Sequence, residues 1–358
     1  MLIYKKIIEP ILFWMNIERA QRTVVWTLRI LGRLPFGNAM LRKTYRVDHP
    51  SLERDVFGIH FKNPIGVAAG FDVNGEITNQ LDAIGFGFVE VGAITPEPQD
   101  GNPKPRVYRL SKDSAIVNRM GYPNRGWSFA NNYLKKRNPD IIVGCNITNN
   151  RTTEPSKMSR DYLTSFRNLY QYVNYFTVNI DFNSLICSDE ITPAIAITNL
   201  LNPLFDFRRG QNDYRPIMVK INADISDEMI DSITDVLINT PLDGIVAVNG
   251  TLSRQNLKTS DGNISKIGAG RLSGKPIKER ALEVIRRIYE NSGGGYPIIG
   301  VGGVESADDV RAMLDAGASL VQIYSGLVYH GPSIAGEICR DLIIENNRPD
   351  SAAPLSEI

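Results

Sequence analysis

From residue 60 onward the chain alternates short apolar runs with amphipathic stretches. The apolar runs cover 65–69, 88–93, 141–146, 176–180, 216–221, 244–248, 297–301 and 320–324. They are rich in Val, Ile or Phe and often close on Gly or Asn. A run that is apolar throughout, rather than alternating, predicts a strand buried on both faces, as in a parallel sheet. Between the runs, 76–84, 161–170, 226–237, 278–289 and 306–316 carry helical periodicity, and Ser226 and Ser306 stand where N-caps stand. Eight strand–helix units predict an α/β fold, a (β/α)8 TIM barrel over residues 47–358. Residues 1–46 form a separate helical element, and 46–62 reads as a strand pair or linker. The longest connections after a strand, 94–124 and 249–276, are predicted to be functional loops.

In such a barrel the chemistry sits where strands end. The first run ends in Ala68-Ala69-Gly70-Phe71-Asp72, small enough for a flat ring to approach the backbone. Asn146 and Asn179 close the third and fourth runs, and an amide offers both donor and acceptor to a pyrimidine-like ring edge. Lys220, flanked by apolar residues on the fifth, must send its ammonium to the barrel mouth. The seventh runs into Gly300-Val301-Gly302-Gly303-Val304 and the eighth into Tyr324-Ser325-Gly326. A glycine-rich turn after strand seven and a small polar turn after strand eight predict a phosphate site. Phosphate, ring amides and a mouth lysine together point to flavin mononucleotide, FMN.

Composition narrows the picture. Hydrophobic residues make up 42% of 358, enough for a substantial core, and 40 basic against 39 acidic side chains give no global field for nucleic acid. Cys145, Cys187 and Cys339 are widely spaced, which argues against a disulfide framework or a metal cluster. His49, His60 and His330 are too scattered for a metal site. The charge is uneven: residues 1–46 carry nine basic side chains and only Glu9 and Glu18 on the acidic side. Two apolar runs in that segment are too short to span a bilayer, which needs about 20 residues. Basic residues beside apolar helical faces suit a helix lying in the membrane interface, or a helical hairpin packed on the main domain.

The motifs have a family look. Asn63-Pro64-Ile65-Gly66-Val67-Ala68-Ala69-Gly70-Phe71-Asp72 resembles the opening strand of class 2, quinone-linked dihydroorotate dehydrogenases. Gly85–Gly92, Gly101–Arg106, Asn118-Arg119-Met120-Gly121, Leu272-Ser273-Gly274-Lys275-Pro276 and Gly317–Gln322 resemble further stretches of that family, in order along the barrel. Ile17-Glu18-Arg19-Ala20 resembles its two-helix membrane entrance, which admits quinone to the flavin. The resemblance implies FMN-dependent oxidation of dihydroorotate to orotate, a step of pyrimidine biosynthesis, by a peripheral membrane protein on the cytoplasmic face. It places Ala69, Gly70, Ala93, Asn146, Asn179, Lys220, Val248, Gly274, Gly303, Tyr324 and Ser325 on FMN. It places Val73, Asn118, Asn179, Ser184, Asn249 and Gly250 on the substrate side.

Several positions depart from the family pattern. Val73 stands where a lysine pairs with the substrate carboxylate, and Pro123 where an asparagine is usual. Phe182 occupies the position of the family's serine base, and a phenyl ring takes no proton. Ser184 replaces an asparagine; Asp181, Ser184 and Cys187 are substitute candidates for the base. Ala93, Val248 and Gly250 replace threonines. Arg271 replaces a glycine near the phosphate loop, and Arg271 and Arg125, basic residues close to the site, are candidates to replace the missing lysine. These departures leave two alternatives open: an FMN oxidoreductase with a changed, less polar substrate, or a catalytically impaired flavin-binding homologue.

Overall fold

The structure is a computed structural model that describes residues 4–180 and 192–346. The eight apolar runs form a closed parallel barrel. Its strands are β1 (Ile65–Val67), β2 (Phe88–Ile94), β3 (Ile142–Ile147), β4 (Tyr175–Asn179), β5 (Ile217–Asn222), β6 (Gly244–Asn249), β7 (Ile298–Val301) and β8 (Leu320–Ile323). Each strand pairs with the next along the chain, and β8 closes on β1. An outer helix follows each strand, from Thr78–Ala83 after β1 to Ile334–Asn346 after β8. Ser226 and Ser306 cap their helices as expected, accepting from the N–H of Met229 and Asp309.

The barrel interior is filled rather than open. Phe61, from the antiparallel pair Arg54–Val56 and Ile59–Phe61, plugs the base and meets Phe88 edge-on at 5.3 Å. Phe88 in turn lies 6.5 Å from Tyr175. Gly66 and Gly144 make room for these rings: a Cβ would come within 2.3 Å of Phe88 and 2.0 Å of Tyr175. With aromatic rings closing the bottom, the only end of the barrel that can receive a ligand is the end where the strands finish.

Two expectations change. The connections 94–124 and 249–276 are not plain loops. They hold Val107–Leu110, Ala115–Asn118 and Arg271–Gly274, which form a three-stranded antiparallel sheet over the mouth. Its central pairing joins residues some 150 positions apart, which no local pattern betrays. The N-terminal segment folds into three α-helices rather than two: Glu9–Trp14, Ile17–Arg33 and Gly37–Tyr45. Asn16 starts the second by accepting from Glu18 N–H at 3.0 Å, and Phe36, at φ 65°, breaks the chain before the third.

Candidate active site

A cavity of about 330 Å³ opens where the strands end. Its wall includes every described residue assigned from sequence to cofactor or substrate: Ala69, Gly70, Val73, Ala93, Asn118, Asn146, Asn179, Lys220, Val248, Asn249, Gly250, Gly274, Gly303, Tyr324 and Ser325. Phe182, Ser184, Asp181 and Cys187 lie outside the described residues. Arg271 is on the wall. Arg125 is not among the lining residues; its guanidinium stacks 3.5 Å above the Phe129 ring.

The two glycine turns meet at one end. Gly303 has φ 73°, and a Cβ there would lie 2.9 Å from Lys278 Cβ and 3.1 Å from Gly274 O. Gly326 approaches so closely that its Cβ would meet Val304 O at 2.3 Å. The β7 turn, the β8 turn and Gly274 are thus packed at a spacing that only glycine permits. The first N–H groups of Ser325–His330 have no partner within the helix. A phosphate dianion fits such a cradle of backbone donors.

The other end rests on a buried carboxylate that the sequence reading passed over. Glu90, in the middle of β2, is fully buried. It accepts hydrogen bonds from Asn146 Nδ2 at 2.9 Å, Gln322 Nε2 at 2.8 Å, Thr177 Oγ1 at 3.0 Å and Tyr175 OH at 3.4 Å. The signal was present, since a lone Glu in an apolar strand must be satisfied inside the fold. By drawing in the amide N–H of Asn146 and Gln322, Glu90 fixes how both side chains are turned. Asn146 Oδ1 and Gln322 Oε1 are buried with no hydrogen-bond partner among the described residues. Lys220 is 5% exposed and pairs in register with Asn179. Burial lowers its pKa, while the charge of Glu90 pulls it up. Backbone donors at the glycine turns for a phosphate, amide oxygens free to accept and a buried cation together form a polar set that fits FMN. Among the described residues no group of His, Cys, Asp and Glu could hold a metal ion.

Comparison with known proteins agrees with this geometry. The dihydroorotate dehydrogenase family model matches residues 51–345. The chain belongs to that family, and it is an oxidoreductase. It is 40% identical over 340 residues to the dihydroorotate dehydrogenase (quinone) of Christiangramia forsetii, covering 95% of this chain and 98% of that one. The Thermobifida fusca protein of the same name is 40% identical over 344 residues, covering 92% and 89%. Among solved structures, Eimeria tenella DHODH in complex with ferulenol is 30% identical with a TM-score of 0.77, covering 92% of this chain and 91% of that one. The ligand-free form of that protein gives a TM-score of 0.80 at 29% identity, covering 91% and 94%.

Around the cavity, residues of this dehydrogenase-family chain to which the sequence reading gave no site role complete the wall: Asn102, Tyr122, Ser273, Ile277 and Gln322 among them. The β1 turn is braced from two sides. Asp72 accepts from the N–H groups of Glu76 at 2.7 Å and Ile77 at 2.9 Å. Gln21, from the helix Ile17–Arg33, donates to Gly70 O and Phe71 O at 2.9 Å each.

Proposed function

We propose that this protein oxidises dihydroorotate to orotate with FMN as cofactor and quinone as electron acceptor, supplying a step of pyrimidine biosynthesis. The observation that carries this reading is the single cavity that gathers the two glycine turns, Lys220 and the amides of Asn146, Asn179 and Gln322. FMN, when bound, supplies a hydride acceptor that quinone can reoxidise. Gly274, Gly303 and Ser325 would hold its phosphate, with Tyr324 beside them. Ala69, Gly70, Ala93 and Val248 would flank the ring, leaving it room. Lys220 places a fixed positive charge where negative charge gathers on reduction, a preorganised arrangement that costs no reorganisation during the reaction. Asn118, Asn179 and Asn249 would hold the substrate's ring edge.

The extension 1–46 would seat the protein on the cytoplasmic face of the membrane and admit quinone. Support comes from its exposed apolar side chains: Trp14 at 92%, Phe36 at 85% and Trp26 at 62%. No helix among the described residues is long and apolar enough to cross a membrane.

A second reading, a changed substrate, is favoured by Val73 and Pro123 on the substrate-side wall. A valine gives a carboxylate no charge-assisted bond. The test is to purify the protein in mild detergent and record its flavin spectrum. Dihydroorotate is then added without oxygen, and orotate in a separate sample. Bleaching at a turnover rate supports the first reading. Flavin that stays oxidised, with no spectral shift on orotate, sinks it and leaves the second or a catalytically impaired homologue. In that event the double variant Phe182→Ser/Val73→Lys restores bleaching if the pocket has only lost its acid–base and anchoring groups.

A further inference from the structure

Three cations line the cavity, Arg119, Lys220 and Arg271, and no carboxylate appears among the described lining residues. A wall of one sign calls for anionic ligands, and the three cations are not equally free. Lys220 is buried at the end of β5. Both terminal nitrogens of the Arg119 guanidinium are committed: Nη1 donates to Ile267 O and Ala269 O at 2.6 Å, and Nη2 to Tyr108 OH at 2.7 Å and Pro105 O at 3.2 Å. Arg271 differs. Its Nη1 donates to Asp224 Oδ2 at 3.1 Å and Gly250 O at 3.2 Å, while Nε and Nη2 make no hydrogen bond among the described residues. Asp224 forms an ion pair with it through Nη1 alone, and that carboxylate, held also by Leu252 N–H at 2.8 Å and the Thr251 hydroxyl, does not reach the other two nitrogens. The side chain is 27% exposed and lies on the cavity wall.

The position of Arg271 separates it from the phosphate end. Along its strand Arg271 pairs with Asn118 and Gly274 pairs with Ala115. Three strand steps of ~3.3 Å put Arg271 about 10 Å from Gly274 and its Gly303 neighbour. It therefore belongs with Asn118, Asn249 and Gly250. The glycine at 250 is part of the arrangement: a Cβ there would lie 3.0 Å from Arg271 Cβ and 2.8 Å from Leu272 O.

We propose that Arg271 is a specificity-determining residue whose open guanidinium edge receives the carboxylate of a planar ring substrate. The proposal rests on the reading of this cavity as the site of a flavin oxidoreductase, and it holds whether or not that ring is dihydroorotate. Anion recognition is thereby carried by the sheet over the mouth, while Val73 gives the β1 turn no cation.

The test titrates the FMN-loaded protein with orotate, benzoate and nicotinate and with the carboxamide of each, reading binding from the flavin spectrum. At least one carboxylate is expected to bind about 10- to 100-fold more tightly than its amide, the range of a charge-assisted pair. R271Q is expected to erase that preference and R271K to keep part of it. No preference in the unaltered protein, or a preference unchanged in R271Q, overturns the proposal. Should R271Q fail to hold flavin, R271K decides, and a preference undiminished there overturns it too. Preference for benzoate or nicotinate that R271Q abolishes, with no orotate binding, supports Arg271 and defeats the dihydroorotate reading. Orotate binding that R271Q leaves intact does the reverse.

Discussion

At the scale of single residues, the site is built from groups whose burial sets their chemistry. Burial pushes the Asp72 carboxyl up to about 7, against the pull of the Ile77 and Glu76 N–H groups. In the unfolded chain it titrates near 3.8. Between those values the folded protein keeps a proton that the unfolded chain has released, so stability falls as pH rises from about 4 to about 7 and levels off above. Asp72→Asn carries no charge in either state. Denaturant midpoints of the two proteins should therefore converge or cross in the variant's favour between pH 5 and pH 7.5, and a constant difference would contradict this. Lys220 makes a second case. Lys220→Ala, which removes the buried cation, should slow flavin reduction by about 10²–10³, the scale of losing one preorganised charge. Stopped-flow absorbance on protein that still holds FMN would measure it. Much of this was legible from strand ends alone, since Asn146, Asn179, Lys220 and Gly303 all sit where eight apolar runs finish. The role of Glu90 was not, because a lone acid in an apolar strand signals burial without showing which four donors it gathers, Asn146 and Gln322 among them.

At the scale of elements, short parallel strands announced themselves by being apolar throughout, and the capped helices by serine before a periodic stretch. The sheet over the mouth did not. Val107–Leu110, Ala115–Asn118 and Arg271–Gly274 mix apolar residues with Arg, Ser and Asn, and their pairing is long-range. That is why Arg271 read both as a neighbour of the phosphate turns and as a stand-in for the missing lysine, a choice that its pairing with Asn118 resolves. The turns themselves offer an element-level test. Gly303→Ala must place a side chain at φ 73° and within 2.9 Å of Lys278 Cβ. The strain, about 1–2 kcal/mol for an ordinary residue in that region, should push the β7 turn away from Gly274 and weaken FMN binding at least tenfold. Equilibrium dialysis against FMN would check it; unchanged affinity would mean that the phosphate is held elsewhere.

At the scale of the molecule, the extension presents Trp14, Trp26 and Phe36 outward while its basic residues flank them. Burying one such side chain is worth roughly 1.5–3 kcal/mol. Trp14→Glu with Phe36→Glu should therefore cut co-sedimentation with anionic vesicles by about a hundredfold. Turnover with a long-chain quinone should fall while turnover with a water-soluble acceptor holds. The inner face of the same segment is joined to the barrel by different means. Glu18 and Arg106 form an ion pair at 2.9 Å with side chains only 12% and 7% exposed, and Gln21 bridges to the β1 turn. Arg109 closes the end of Glu9–Trp14 by donating to Leu12 O, Phe13 O and Met15 O. Neither partner of a buried pair tolerates being left behind: breaking one costs about 3–5 kcal/mol. The extension and the barrel should thus melt as one cooperative unit, with a single calorimetric peak, and a lipid bilayer that steadies the helices should raise the temperature at which the flavin is released.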